Sequence, residues 1–283
     1  MPFQLTSEHR KGTAMILLAA LLWSSGGLFI KLIQLTPFQI AGLRSIFAAI
    51  TFVIIFRKEV LLFSWFTLFN ALCYAAILIL FVIATKETTA ANAIFLQDTA
   101  PIYVLLLEPL LMKTKLRLIN VVTIFVCFLG MTLFFVGKLS PGNLHGNMVA
   151  ITSGVAFAAF MLGMKKNEPK YQVASIFWGN LIIILICSLS FFDMKLTLPD
   201  LSMGAFLGVF QIGIAYAAYT YGLKRVEAIE ASMISMLEPV LNPVWVLIGY
   251  GESPSFFALI GGVIIITAIG VRTFIVERAR TAH

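Results

Sequence analysis

Charged residues are scarce in this sequence. Only 12% of its 283 residues are Asp, Glu, Lys or Arg, whereas 60% are hydrophobic, and the mean hydropathy is +0.98. A soluble globular domain is charged at roughly a quarter of its positions. The chain therefore has too little polar surface to cover an exterior in water, and we expect its outside to face lipid.

Cysteine and histidine are also rare, and the few present are scattered. The cysteines lie inside apolar runs and the histidines lie in a tail, a loop and the other tail; they are Cys73, Cys127, Cys187, His9, His145 and His283. This pattern argues against a disulfide framework and against a Cys/His cluster that would hold a structural metal.

Catalytic and cofactor motifs are missing as well. The sequence has no Walker loop, no Gly-x-Ser-x-Gly and no His-Glu-x-x-His. We therefore expect no cofactor, no metal and no enzymatic activity, and any work must draw on an existing gradient. The net charge of +7 is not accompanied by a basic helix with interleaved aromatics, so we expect no nucleic-acid partner.

Ten apolar runs divide the chain. A helix needs about 20 apolar residues to cross the roughly 30 Å hydrocarbon core of a bilayer. We predict membrane-spanning helices at residues 12–33, 37–56, 62–84, 88–112, 117–136, 146–164, 172–191, 201–222, 228–249 and 256–275. Breaker residues such as Thr36-Pro37 and Leu198-Pro199-Asp200 lie between the runs. The first run is too long for a signal-peptide core, so we expect it to stay in the mature protein.

Lysine and arginine are distributed unevenly between the connections. With the N-terminus inside, the inner segments hold fifteen of these residues, the outer segments hold four, and Arg44 lies in a span. Positive charge favours the cytoplasmic side of a membrane. We therefore predict a multi-pass protein of the bacterial inner (plasma) membrane with both termini in the cytoplasm.

The chain also repeats itself. Residues 12–31 align with residues 146–165, and Lys86 and Pro101 align with Lys224 and Pro239 at a constant offset of 138. Each half then has five helices, and an odd number means that the second half enters the membrane from the opposite side. The alternative is chance similarity between apolar helices. The predicted fold is an all-α integral membrane protein of ten transmembrane helices in two inverted five-helix repeats, at residues 1–140 and 141–283.

Three charged residues lie deep in the predicted spans: Arg44, Asp98 and Glu238. A charge at the bilayer centre costs about 2.5–3.5 kcal/mol on insertion scales and faces protein or water. Asp98 precedes Pro101 by three residues, and Glu238 directly precedes Pro239. Proline frees the carbonyl four residues earlier, here those of Gln97 and Ser235, so we interpret helices 4 and 9 as the pair that lines a site.

Two interpretations of the deep charges remain open. Asp98 and Glu238 could bind a substrate ammonium or exchange a proton, because burial shifts the protonation of an acid. Alternatively, they could belong to a neutralising pair such as Arg44 with Asp98. We interpret Arg44 as a structural charge that anchors carbonyls and a carboxylate.

Aromatic and small polar residues supply the remaining site candidates. Aromatic side chains in spans either line a pocket, where they can hold an ammonium, or pack against lipid and protein. The run Trp23-Ser24-Ser25-Gly26-Gly27 fits either a pocket or close helix packing. The predicted substrate-binding residues are Trp23, Ser24, Tyr74, Gln97, Asp98, Tyr103, Phe157, Tyr219, Ser235, Glu238 and Asn242.

Several motifs resemble those of a known family. They are LWSSGGLFIK at residues 22–31, PFQIAGLR at 37–44, TTAANAIFLQ at 88–97, APIY at 100–103 and LEPVLNPVW at 237–245. Together they resemble the EamA-type ten-helix members of the drug/metabolite transporter (DMT) superfamily over nearly all of residues 12–275. The family commonly has Gly-Glu after helices 4 and 9; Gly251-Glu252 keeps it here, whereas Lys113-Thr114 replaces it in the first half.

The resemblance implies a function as well as a fold. It implies a central cavity lined by helices 1, 3, 4, 6, 8 and 9, alternating access, and a small-molecule substrate in a lipid environment, with the protein a monomer or homodimer. The run at residues 237–243 looks most like the amino-acid-exporter branch. The first hypothesis is a secondary exporter of amino acids or related metabolites, with proton coupling as a further hypothesis. The alternatives are an uptake or exchange carrier for choline, S-adenosylmethionine or a similar metabolite, and a non-transporting membrane subunit or receptor.

Overall fold

The computed structural model describes residues 2–134, 143–241, 245 and 255–281. In this part of the chain the regular structure is helical. The α-helices are α1 (Pro2–Trp23), α2 (Gly26–Leu32), α3 (Pro37–Phe56), α4 (Trp65–Glu87), α5 (Ala90–Gln97), α6 (Ala100–Met112), α7 (Leu118–Phe134), α8 (Leu144–Lys166), α9 (Gln172–Cys187), α10 (Leu198–Phe206), α11 (Ala215–Leu223), α12 (Ala228–Ser235) and α13 (Phe256–Thr281). A π-helical segment, Leu207–Ile214, joins α10 to α11.

The long helices account for the predicted spans. Within the described residues, eight helical stretches are long and apolar enough to cross a membrane. The shorter apolar helix at Leu118–Leu133 is a ninth. The span predicted at 228–249 begins with α12 and is only partly covered by the described residues. The prediction of an all-α membrane protein of ten helices is confirmed.

The predicted breaker Thr36-Pro37 forms the start of helix α3, where local hydrogen bonds cap the helix. At the start of α3, Thr36 Oγ1 accepts from the Gln39 backbone N–H at 3.4 Å, and Gln39 Oε1 accepts from the Thr36 N–H at 3.1 Å. Pro37 occupies the first turn, where its missing N–H leaves no donor unsatisfied. Reciprocal bonding of this kind satisfies donors that a helix start otherwise leaves free.

Equivalent contacts occur in the two halves. Lys31 Nζ donates to the Thr88 carbonyl at 2.9 Å, and the aligned Lys165 Nζ donates to the Val226 carbonyl at 2.6 Å. Gly12 packs against Arg225, and the aligned Gly146 packs against Glu87. Because each half has five spans, such matched contacts lie at opposite ends of the molecule, as an inverted repeat requires.

Helix packing follows the same symmetry. Helix α4 packs on α8 as α11 packs on α1, and each of these pairs brings the third span of one half against the first span of the other. Helices α3 and α9 pack on each other, and so do α7 and α13. The two halves are therefore interleaved, and the space between them lies at the centre of the folded molecule.

A buried charged cluster joins four helices near one end of the molecule. Glu230 on α12 lies 2.9 Å from His9 Nε2 on α1 and 3.0 Å from Arg272 Nη1 on α13. Arg272 Nε also donates to Asn120 Oδ1 on α7 at 3.2 Å. Glu230 and Arg272 are each 1% exposed, so their charges compensate each other almost entirely out of water.

Glycines allow the π-helical segment to approach α3 closely. A Cβ at Gly208 would lie 2.5 Å from the Arg44 carbonyl oxygen and 2.5 Å from Phe47 Cβ. Atoms at that distance overlap, so a larger residue must push the two elements apart. Gly208 is therefore required for close packing beside Arg44.

We expect Gly208→Ala to destabilise the protein by about 1–3 kcal/mol, because overpacking displaces backbone. The matched control is Gly270→Ala in α13, where an added Cβ has no heavy atom within 4 Å. That control should be neutral or stabilising by up to about 1 kcal/mol, because alanine favours a helix over glycine. Thermal unfolding of both variants in detergent tests this, and equal melting temperatures would contradict it.

Candidate functional site

Three spans are interrupted near mid-depth. The first breaks at Ser24-Ser25 between α1 and α2, and the fourth breaks at Asp98-Thr99 between α5 and α6. In the ninth span α12 ends at Ser235 and helix resumes at residues 238–241. The last two breaks lie where proline was predicted to free a carbonyl. Discontinuous helices of this kind commonly form substrate sites in transporters.

A neighbouring glycine covers one of the freed carbonyls. A Cβ at Gly154 of α8 would lie 2.7 Å from the Gln97 carbonyl oxygen and 3.1 Å from Thr99 Oγ1. The backbone of α8 therefore lies directly against the break between α5 and α6. This satisfies the requirement that irregular backbone inside a membrane lie against protein or a water-lined cavity.

A cavity lies among these breaks. Its empty volume is about 340 Å³, and the centre of a water molecule fits within only about 30 Å³ of it. The described residues that line it are Trp23, Arg44, Ile77, Leu78, Phe81, Gln97, Phe157, Gln211, Tyr216 and Glu238. They come from spans 1, 3, 4, 6, 8 and 9, as the resemblance implied, and from span 2 through Arg44. A volume of 30 Å³ holds about two water molecules, so little free space remains inside the cavity.

Arg44 is a buried cation at this cavity, with 1% of its surface exposed. Its Nη2 donates to Gln211 Oε1 at 2.8 Å. Its Nε and Nη1 are buried and have no hydrogen-bond partner. Within the described residues Arg44 forms no ion pair with Asp98 or any other acid, so the neutralising pair considered above is not found. The cation is left with unused donors beside an internal space.

Gln211 connects Arg44 to the break in the first span. It lies in the π-helical segment and is 5% exposed. Its Nε2 lies 2.7 Å from where a Cβ at Gly26 would stand. Gly26 is the first residue of α2, so the amide of Gln211 lies between that helix start and the guanidinium of Arg44. π-Helical segments occur frequently at functional sites.

Two carboxylates lie near each other at the breaks in the fourth and ninth spans. Asp98 is 4% exposed and Glu238 is 8% exposed, and the two are close enough to interact electrostatically. In the part of the chain that the structure describes, neither acid forms an ion pair, and Asp98 Oδ2 is buried without a hydrogen-bond partner. Only Glu238 of the two lines the cavity. These acids could bind a ligand cation or a proton.

An aromatic cluster forms one wall. The Trp23 ring centroid lies 5.8 Å from Phe157, 4.9 Å from Tyr216 and 5.2 Å from Tyr219. Tyr74 packs on Tyr216 at 4.9 Å. Trp23, Phe157 and Tyr216 reach the cavity, whereas Tyr74 and Tyr219 are fully buried behind them. Tyr74 accepts a hydrogen bond from Asn180, so its hydroxyl is used in helix packing.

Other predicted site residues serve local structure. Ser24 Oγ donates to the Leu21 carbonyl and accepts from Trp245 Nε1 at 2.7 Å. Ser235 Oγ donates to the Ala231 carbonyl, and Tyr103 accepts a long hydrogen bond of 3.5 Å from Thr99. None of these three is among the described lining residues. The predicted residue Asn242 lies outside the described residues.

Gln97 both hydrogen-bonds a neighbouring helix and lines the cavity. Its Nε2 donates to Ser153 Oγ at 2.7 Å, and Ser153 in turn donates to the Ile77 carbonyl at 3.2 Å. It also lines the cavity at the end of α5. Among the predicted substrate-binding residues, Trp23, Gln97, Phe157 and Glu238 therefore reach the cavity together.

Five lining residues were not among the predicted site residues: Ile77, Leu78, Phe81, Gln211 and Tyr216. The first three are apolar and look like any lipid-facing residue of a span. Gln211 carried a usable signal, because an amide in mid-span needs a partner away from lipid.

Relatives of known sequence are transporters. An uncharacterized transporter of Archaeoglobus fulgidus is 26% identical over 287 residues, covering 94% of this chain and 98% of that protein. An uncharacterized transporter of Clostridium kluyveri is 24% identical over 283 residues, covering 91% of each. A solved crystal structure matches with a TM-score of 0.79 at 18% identity, covering 95% of this chain and 98% of its own, which supports the fold alone.

The chain matches the EamA-like transporter family twice, at residues 10–136 and at residues 144–273. These two ranges include all of the motifs from which the resemblance was inferred. The matched ranges also contain every described residue that lines the cavity. The chain belongs to the EamA-like transporter family and is a multi-pass membrane transporter of a small-molecule substrate.

Proposed function

We propose that this protein exports amino acids or related small metabolites across the bacterial inner membrane. The observation that carries the proposal is the presence of Arg44 and Glu238 on one cavity, neither with an ion-pair partner among the described residues. Burying unpaired charges is strongly unfavourable. A zwitterionic ligand would supply a carboxylate for one and an ammonium for the other.

The chemistry of the remaining walls fits such a ligand. Arginine binds carboxylates through charge-assisted hydrogen bonds, and the buried Nε and Nη1 of Arg44 are available as donors. Glu238, with Asp98 nearby, suits an ammonium, and Trp23 offers an aromatic face to the same cation. Ile77, Leu78 and Phe81 line the cavity with apolar surface, which suits the side chain of an amino acid.

Alternating access is the transport mechanism that this arrangement supports. Broken helices from both halves meet around the cavity. In inverted-repeat transporters, one repeat rocks against the other around a central site. We take residues 1–140 and 141–283 as the two moving halves. The excess of cytoplasmic Lys and Arg supports an orientation with both termini inside.

Proteoliposomes test the proposal directly. Purified protein is reconstituted, loaded with unlabelled amino acids and assayed for counterflow of labelled amino acids, with choline and S-adenosylmethionine in the same panel. Exchange of neutral amino acids is the expected result. Exchange of choline alone would instead favour the cation carrier, which the two carboxylates Asp98 and Glu238 suit but the uncompensated Arg44 does not. No exchange with any amino acid would contradict the proposal.

Proton coupling is proposed for Glu238 and Asp98. A carboxylate exchanges a proton with water and an amide does not, so Asp98→Asn should lose transport driven by a pH gradient while counterflow persists. Glu238→Gln should lose pH-driven transport and also weaken counterflow, because Glu238 lines the cavity and binds the substrate ammonium. The matched control is Glu168→Gln, an exposed acid paired with Lys170, which should transport normally. If both buried-site variants kept pH-driven transport, coupling would have to be assigned elsewhere.

A further inference from the structure

We infer that Gln211 is a positioning residue for the substrate carboxylate and acts through Arg44. The inference rests on the proposed function and names the part of the site that selects for a carboxylate. Gln211 is the one side chain in the described part of the chain that accepts a hydrogen bond from the guanidinium of Arg44. It does so without carrying charge.

The position of the Gln211 amide is tightly constrained. Its Oε1 lies 2.8 Å from Arg44 Nη2, and its Nε2 lies against Gly26, where any Cβ would overlap it. The same π-helical segment places Gly208 against the Arg44 backbone. Gln211 therefore contacts both the guanidinium and the break in the first span, and it holds one nitrogen of Arg44 in place.

The neutrality of Gln211 matters for ligand choice. An amide satisfies one N–H of Arg44 and leaves the positive charge uncompensated, so the charge remains available to an anionic ligand group. A glutamate of the same shape would pair with Arg44 and compete with the ligand for it. The choice of glutamine over glutamate at position 211 therefore makes the site prefer ligands with a carboxylate.

Gln211→Glu should change which ligand binds. The probes are leucine and leucinamide, which share the ammonium and the apolar side chain and differ in the carboxylate. The wild-type protein should bind leucine at least about tenfold more tightly than leucinamide, and Q211E should reverse or abolish this ratio; tenfold corresponds to about 1.4 kcal/mol. A variant that was merely destabilised would weaken both ligands and leave their ratio unchanged.

The matched control is Gln172→Glu. Gln172 is 2% exposed and donates to the Met164 carbonyl, and it is not among the lining residues. Q172E introduces the same charge into a buried site elsewhere and should keep the wild-type preference for leucine. If Q211E also kept that preference, the inference would be overturned.

A second measurement does not depend on the substrate. Gln211→Leu removes the acceptor of Arg44, so it should lower the melting temperature in detergent, and the double variant Arg44→Met/Gln211→Leu should recover most of the loss. If wild-type protein bound neither probe, the proposed function would fail while this cycle still decided whether Gln211 holds Arg44. Strictly additive losses in the cycle would overturn the inference.

Discussion

Arg44→Met is expected to reduce amino-acid counterflow at least about 100-fold. The substrate carboxylate would lose its only nearby cation within the described lining of the cavity. Truncating one partner of a buried charge pair costs about 2–5 kcal/mol, which covers a 100-fold change in affinity. Initial rates of exchange in proteoliposomes measure the effect.

A nearby cation provides the control for this result. Lys58 lies just beyond the same helix α3 and is exposed, so Lys58→Met removes an equal charge away from the cavity and should transport at the wild-type rate. A tenfold change corresponds to about 1.4 kcal/mol. Counterflow of Arg44→Met within about threefold of wild type would therefore mean a smaller loss than that, and it would remove the main support for a zwitterionic substrate.

Glu230→Gln is expected to destabilise the protein by about 3–5 kcal/mol, because removing one partner leaves the other charge buried and uncompensated. The affected partner is Arg272, which is 1% exposed and lies 3.0 Å from Glu230. His9 would also lose its carboxylate partner at 2.9 Å. Chemical or thermal unfolding in detergent, compared with wild type, measures the loss.

The control is the same substitution at an exposed ion pair. Glu168 pairs with Lys170 at 2.9 Å, and both side chains are more than half exposed. Surface pairs contribute about 0–1 kcal/mol, so Glu168→Gln should have little effect. If the two variants unfolded alike, the buried cluster would not be the source of stability that its burial indicates.

The number of spans and the positions of two breaks could be predicted because each has a local cause. A run of about 20 apolar residues crosses a bilayer as a helix wherever it occurs in the chain. Pro101 and Pro239 remove backbone donors at fixed distances from Gln97 and Ser235, and α5 and α12 end at those two residues. The break at Ser24-Ser25 has no proline within its span and was not predicted.

The faces of the helices could not be predicted in the same way. These spans are apolar all round, so their sequences do not separate the side that faces lipid from the side that faces the cavity. Tyr74 and Tyr219 therefore looked like pocket residues as much as Trp23 did, yet they lie behind the wall. Ile77 and Phe81 looked like lipid-facing residues and line the cavity.

The scarcity of charge determined the class of this protein by itself. Too few polar residues to cover a water-facing surface require a membrane protein, and the internal repeat with five spans in each half requires inversion. Only the tertiary structure decided what the remaining charges do. Whether Arg44 meets Asp98 or Gln211 depends on how helices from opposite halves rotate and pack, and residues 167 positions apart come together only after both halves have assembled.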